Sequence, residues 1–417
     1  MVLGFSESAL PLGRRRWARR TAAFAVAALG LGALAPAASA EDSKPKAPAA
    51  LYGAGDPTYD GVWRQSLALL AQLGAGAEPA AKAVTFLADQ QCDDGYFTSY
   101  RPRPDESCDP KETPGDTNAT ALAVQALAAV GGQRAGVDRA VEWLRSEQND
   151  DGGWGYEAGS PTDANSTALV VGALRAAGVK PASVREGDEA PQDALASLQL
   201  GCDAPQEERG AFAYQPEKKG GLTPNTAATT AAVLGAYGKG VLVEPAAEGA
   251  EPAALDCADG GGHTAQQRAE AGAAWLVAEL QRNGGYLKSS LPGQDDQPDY
   301  TGTADAALAL AAGGHGEAAQ QPLGWLRKNL KEWKKSTTDP AAIGTALLAS
   351  RSAGGDPAKL GTATLDRLNA TGPAPSPAAE DEEDDSGNST VWTWSLVLVG
   401  LAVGGAIGLV LSTRRKK

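Results

Sequence analysis

Four short stretches of this 417-residue chain place oxygen-bearing side chains where they could do chemistry. Asp116 with Asn118, Asp163 with Asn165, Asn225, and the pair Asp299-Tyr300 each open a run of Ala, Leu, Val and Thr. Loop aromatics precede them: Tyr96, then Trp154 and Tyr156, then Tyr214, then Tyr286. A carboxylate in such a place has two uses. It can give a proton to a bound molecule or take one from it, or it can accept the orphan N–H groups that begin a helix. Asn serves only the second use, so the three Asn positions separate the readings.

Other chemistry is thinly represented. The two histidines, His263 and His315, stand in no ligand motif, although either could titrate near neutral pH. The four cysteines, Cys92, Cys108, Cys202 and Cys257, form no CxxC pair and have no nearby histidine, so no metal site is expected. Three disulfide connectivities are open to them. Pairing Cys92 with Cys108 and Cys202 with Cys257 is favoured because each bridge then staples one long loop within a repeat. The net charge of −14 argues against nucleic acid and anionic headgroups as partners.

The elements that must position these residues repeat along the chain. One unit is a helix with an aromatic-Leu pair, a Gly/aromatic loop, then a second helix opened by Asp or Asn, with Thr four residues on. The copies carry Phe86-Leu87 with Gly95-Tyr96-Phe97, Trp143-Leu144 with Gly152-Gly153-Trp154, Leu195 with Gly210 and Phe212, and Trp275-Leu276 with Gly284-Gly285-Tyr286. A degenerate copy holds Trp325-Leu326 and the helix around Ile343, and residues 60–73 read as the second helix of a leading copy. Apolar spacing of three and four makes each unit a helical hairpin. The second helices, such as 120–129, 167–176 and 304–312, are poor in charge all round and should form an inner layer. The first helices carry charge on one side and should form the outer one.

The run Trp143-Leu144-x-x-x-Gln148-x-x-x-Gly152-x-Trp154 resembles the QW motif of squalene and terpene cyclases, and Phe86-Leu87 with Gln91, Gly95 and Phe97 is a near copy. Gly284-Gly285-Tyr286 with Asp299-Tyr300 and Thr303 is similar to a loop of protein prenyltransferase β subunits. Over about 51–370 the chain thus resembles the terpene cyclase and protein prenyltransferase superfamily. The resemblance implies an all-α fold, an α/α toroid: a double-layered barrel of about five to six helical hairpins. Vitamin B12 carriers and complement thioester domains share that toroid.

What the resemblance implies about activity depends on the motifs retained. Class II cyclases carry D-x-D-D-T-A at the start of an inner helix, its middle Asp acting as the proton donor. The matching stretches here read Asp116-Thr117-Asn118-Ala119-Thr120-Ala121 and Asp163-Ala164-Asn165-Ser166-Thr167-Ala168, with Asn where the acid belongs. Prenyltransferases bind zinc through Asp, Cys and His, whereas here Thr301 stands two residues after Asp299. No Gly-Cys-Gly-Glu-Gln thioester is present. The B12 carriers make a corrinoid the most specific ligand, with His263 or His315 as a potential cobalt ligand, and no other cofactor is expected.

The ends of the chain suggest export. Residues 1–40 have the three-part layout of a signal peptide, with Arg14, Arg15, Arg16, Arg19 and Arg20 before an apolar stretch and Ala38-Ser39-Ala40 before Glu41. An ectodomain is expected over 41–370 and a Pro-rich, then acidic, linker over 371–390. Residues 391–411 are uncharged and, at about 1.5 Å per residue, long enough to cross about 30 Å of hydrocarbon. The basic tail 412–417 would hold that end in the cytoplasm. The sequence therefore reads as a surface toroid on a single C-terminal membrane helix. Its expected role is non-catalytic capture of a small molecule, delivered to a membrane transporter. An isoprenoid enzyme and a wall or protein interaction module are the alternatives.

Overall fold

A helix that is apolar on every side must be covered on every side, and here that produces two concentric layers. The computed structural model describes residues 47–258, 262–290, 293–294 and 296–376. The inner helices are α1 (Gly61–Gly74), α3 (Thr117–Val130), α5 (Ala164–Ala176), α7 (Thr226–Ala236), α9 (Tyr300–Ala312) and α11 (Pro340–Ser352). Each packs on the next in that order, and α11 packs back on α1, so the six close a ring. Between them in sequence come the outer helices α2 (Ala81–Asp89), α4 (Arg134–Ser146), α6 (Pro191–Ser197), α8 (Ala265–Arg282), α10 (Gly316–Asn329) and α12 (Leu365–Asn369). The expected toroid is thus present, with six hairpins.

The two layers differ as their sequences dictate. Every residue of α3 from Thr117 to Leu127 is buried. In α4 only Val137, Ala140, Val141, Trp143 and Leu144 are buried, a single stripe at three- and four-residue spacing, with charges on the other side. Small residues let the layers approach closely. Gly95 and Gly152 adopt φ of +99° and +82°, and a Cβ on them would lie 2.4 Å from the Arg139 carbonyl oxygen and 2.6 Å from that of Ala190. Glycine is required at both places.

One hydrogen-bond pattern locks each loop to its inner helix. The N–H groups of Phe97, Trp154, Phe212 and Leu287 donate to the hydroxyls of Thr120, Thr167, Thr229 and Thr303 over 2.9, 3.0, 2.9 and 3.0 Å. The loop aromatics go inward as a result: Trp154, Phe97 and Phe212 are among the largest fully buried side chains. The ring is also sewn shut between first and last repeats. Gly53 N–H donates to Thr371 O, and Ser376 N–H to Glu78 O. The Tyr52 hydroxyl donates to Pro373 O over 2.6 Å, and Gln72 Nε2 to Asn369 Oδ1 over 2.7 Å. Residues 371–376, read from sequence as the start of the linker, therefore belong to the ring.

The α7–α8 connection crosses the C-terminal end of the ring. Val241 N–H donates to Gln125 Oε1 of α3, and Ala246 N–H to Ser352 O of α11. Arg351 pairs with Glu244 and donates to Val243 O. The disulfides are Cys92–Cys108 and Cys202–Cys257, with Cα separations of 5.7 and 5.6 Å, the pairing favoured from sequence. The second ties this long connection to the α6–α7 loop. Residues 1–40, 391–411 and 412–417, read as signal peptide, membrane helix and tail, lie outside the described residues, as does most of the 371–390 linker. Among the described residues no helix is long and apolar enough to cross a membrane.

The threonine lock is testable. Thr167→Val keeps the shape of the side chain but leaves the buried Trp154 N–H without its acceptor, so stability should fall by about 1–3 kcal/mol. Thr167→Ser should retain most of it. Urea unfolding followed by circular dichroism measures both, and a Val variant as stable as the parent would refute the lock.

Candidate functional site

The oxygen-bearing residues singled out from sequence gather at the N-terminal end of the ring. Asp116 Oδ1 accepts from Ala119 N–H, Asp163 Oδ1 from Ser166 N–H, Asn225 Oδ1 from Ala228 N–H and Asp299 Oδ1 from Gly302 N–H, at 2.8–2.9 Å. Asp339 caps α11 in the same way. These side chains are helix caps. Asn225 doing the same work as four aspartates shows that the position needs an acceptor and not a charge.

Two of the caps have a further partner from the next repeat. The Tyr156 hydroxyl donates to Asp116 Oδ2 over 2.9 Å, and that of Tyr214 to Asp163 Oδ2 over 3.4 Å. Ser99 also donates to Asp116 Oδ2. Burial pushes the Asp116 and Asp163 carboxyls above the ordinary carboxylate range, against the pull of these hydrogen bonds. Burial, with the Asp163 charge second, pushes the Tyr214 hydroxyl up to about 12. Burial and Asp116 likewise raise Tyr156. Both tyrosines are locked as donors to carboxylates.

A second ladder sets the register between repeats. Val62 N–H donates to Ser99 O, Thr117 N–H to Tyr156 O, and Ala164 N–H to Tyr214 O. The residues one further on, Trp63, Asn118 and Asn165, are therefore equivalent. Seven residues later, two helical turns, come Leu70, Gln125 and Gly172, which line one cavity of about 290 Å³ at the C-terminal end of the ring. Three consecutive ring helices share such a space only on the axis. Trp63, Asn118 and Asn165 thus form an axial row two turns above it. On α7 the half-buried Ala227, Ala231 and Leu234 continue this strip, and on α9 Thr301 and Asp305 do so.

Asn118 occupies the position where a cyclase proton donor was sought. It is 6% exposed, and its Oδ1 has no hydrogen-bond partner among the described residues. The Trp63 indole N–H is likewise buried and unpartnered. Asn165 is 3% exposed in the same row.

The remaining aromatic candidates are not brought to the axis. Tyr96 is buried against Trp143, ring centroids 5.4 Å apart, between the layers. Trp154 is fully buried, and its Nε1 donates to Leu144 O over 2.6 Å. Tyr286 stacks on Trp325 at 4.8 Å, and Tyr300 on Trp333 at 5.3 Å with planes 7° apart. These rings pin outer elements to inner ones. His315 is closed to a ligand: its Nδ1 meets Ala250 O at 2.7 Å, and its Nε2 meets the Tyr237 hydroxyl at 3.1 Å and Glu270 at 3.3 Å. His263 Nε2 is bonded to Asp256 O in an exposed loop.

Sequence reasoning missed Trp63 and Asp305. The inner helix over 304–312, expected to be poor in charge, carries Asp305 one turn below Thr301, about 6 Å deeper along the axis. Burial pushes this carboxyl above the usual range too. Its signal was available, since it is the single acidic or basic residue of α9. Trp63 stands in no motif of the sequence, and only the ladder gives its register. Among the described residues no group of His, Cys, Asp and Glu could hold a metal ion.

Residues 113–179, covering α3, α4 and α5, match the squalene-hopene cyclase C-terminal domain family. The chain is built on the α/α toroid of the terpene cyclase and protein prenyltransferase superfamily, as that match and the closed double ring indicate. Similar solved structures include a protein from Actinoplanes, at 17% identity and a TM-score of 0.46, covering 74% of this chain and 95% of that one. Another is the ent-copalyl diphosphate synthase of Streptomyces platensis, at 16% and 0.45, covering 70% of this chain and 50% of that one. The type II terpene cyclase MstE from Scytonema follows at 16% and 0.41, covering 68% and 70%. No curated protein sequence matches this chain.

The raised carboxyls have a pH signature. A native value above the unfolded one means that ionisation costs the folded state stability at pH 7, and that cost fades as pH falls towards the ordinary carboxylate range. Asp163→Asn keeps the cap, as Asn225 does, and removes the ionisation. The variant should melt at or above the parent temperature at pH 7, and its advantage should shrink by pH 4.5. A constant difference across that range would show that the carboxyl is not raised.

Proposed function

We propose that this protein binds a small molecule inside the ring without performing the proton-initiated chemistry of class II cyclases. The reading rests on Asn118. Its buried carboxamide stands at the motif position of the cyclase acid, has no partner for Oδ1, and cannot donate a catalytic proton. An unpaired buried acceptor on an axial wall is what a ligand donor would satisfy. Asp116 and Asp163, the carboxylates that could stand in, are engaged as caps and held by Tyr156 and Tyr214.

Of the two histidines considered as a cobalt ligand, His315 has both ring nitrogens engaged, and His263 is bonded through Nε2 alone. Capture at a membrane surface and delivery to a transporter remain part of this proposal on the strength of the chain's ends alone. An isoprenoid-metabolising enzyme is the competing reading, supported by the toroid itself.

Native mass spectrometry of the full-length protein should find a small molecule retained at stoichiometric level, and Asn118→Leu should reduce its occupancy severalfold. Turnover of squalene or geranylgeranyl diphosphate, lost in Asp163→Asn, would overturn the non-catalytic reading.

A further inference from the structure

We infer that His315 and Glu270 form a proton-operated clasp: with the imidazole charged they hold the α7–α8 connection down on the C-terminal end of the ring, and with it neutral they release its middle. The inference stands independently of what the ring binds.

The connection has two fixed points. On the α7 side Val241 N–H donates to Gln125 Oε1 and Ala246 N–H to Ser352 O. On the α8 side the Cys202–Cys257 disulfide holds it to the α6–α7 loop. Between Ala246 and Cys257, two hydrogen bonds tie the stretch to the helical hairpins among the described residues. His315 Nδ1, in the α9–α10 turn, meets Ala250 O at 2.7 Å, and Glu270 Oε2, on α8, accepts from Ala253 N–H over 3.4 Å. Bare backbone seats the first of them: a Cβ on Gly249 would overlap the Gly314 carbonyl oxygen, and one on Gly316 that of Ala247. The same connection lines the axial cavity through Gly238, Gly240 and Leu242, so the clasp acts on the cover of that cavity.

A count of protons gives the charge state this arrangement calls for. A carbonyl only accepts, so the hydrogen on His315 Nδ1 is committed to Ala250 O. Nε2 then faces two oxygens, the Tyr237 hydroxyl at 3.1 Å and Glu270 Oε2 at 3.3 Å, while that hydroxyl also lies 3.1 Å from Glu270 Oε1. Burial, with the Glu270 charge second, pushes the Tyr237 hydroxyl above its ordinary range, so it stays a donor, with one proton to give. A neutral imidazole takes that proton on Nε2, which leaves the tyrosine oxygen bare against the carboxylate. With a proton of its own, Nε2 donates into Glu270, Tyr237 donates to Oε1, and every contact has its hydrogen. His315 is 6% exposed, and Glu270 supplies the counter-charge that a buried imidazolium needs. Proton uptake and docking therefore reinforce each other, and an imidazole is the side chain that changes charge near neutrality.

The other charged groups on the surrounding elements are turned to solvent or paired elsewhere. Lys239 just past α7, Glu248 and Glu251 on the connection, and Glu317 on α10 are exposed. Arg268 of α8 donates to Gln199, Arg351 of α11 pairs with Glu244, and 306–312 of α9 carry no charge. His263 meets Asp256 O within the connection itself, beyond the clasp.

The test cleaves the full-length protein with a Glu-specific protease between pH 5.5 and 8.5 and follows the cuts at Glu248 and Glu251 after reduction. Each rate is divided by that of a free peptide of the same sequence, 244–255, which cancels the protease's own pH dependence. An NMR titration of the imidazole signals runs beside it, with two histidines in the chain to tell apart. Normalised cleavage, which tracks the released population, should rise roughly tenfold across the range, with its midpoint at that of His315. His315→Asn keeps a donor for Ala250 O and has nothing to titrate, so its cleavage should not vary with pH, whereas His263→Asn should behave as the parent does. Flat cleavage in the parent, a midpoint that follows His263, or pH dependence retained in His315→Asn overturns the clasp. The parent's two midpoints decide the matter even if a variant fails to fold.

Discussion

The N-terminal end of an apolar helix buried inside a ring presents backbone N–H groups with no water to meet them, and this structure is organised around supplying their partners. Asp116, Asp163, Asn225, Asp299 and Asp339 cap five of the six inner helices with a side-chain oxygen. Carbonyls from the following loop take the next N–H in three cases. The loop must therefore return to a fixed point on each helix. Threonine hydroxyls hold it there, glycines let it pass beneath the next outer element, and buried aromatics fill the space left.

That constraint explains why the residues most suggestive of catalysis are structural. A carboxylate at a cap is already committed to backbone donors, and Tyr156 and Tyr214 add hydroxyl donors to two of them. Burial holds both carboxyls above the ordinary range, and their oxygens already have donors within the fold. The axial row one step along each helix carries no such obligation. Asn118, Asn165 and Trp63 are found there. The outer layer has its own repeated pin, an aromatic from the Gly loop set against the Trp of the next outer helix, as in Tyr96 with Trp143 and Tyr286 with Trp325.

Two further features complete the enclosure. The α7–α8 connection runs across the C-terminal end, bonded to α3, α11 and the α9–α10 turn, and is stapled by Cys202–Cys257. The first and last repeats are joined by Tyr52, Gln72 and residues 369–376, so the ring has no free edge among its described elements. Closure makes the inner wall a continuous surface and turns isolated substitutions on separate helices into neighbours.

The sequence alone determined the all-helical hairpin repeat, the layer each helix joins, the caps at Asp116, Asp163, Asn225 and Asp299, and the favoured disulfide pairing. These follow from local pattern, since periodicity, capping chemistry and loop spacing each act within a few tens of residues. Tertiary structure decided how many hairpins close the ring, which aromatics turn between the layers, and which face of each inner helix looks onto the axis. An inner helix that is apolar all round has no periodic signal to mark its axial strip. Only hydrogen bonds between repeats, from Val62 to Ser99 and from Thr117 to Tyr156, fix the phase that aligns Trp63 with Asn118 and places Asp305 on the wall below them.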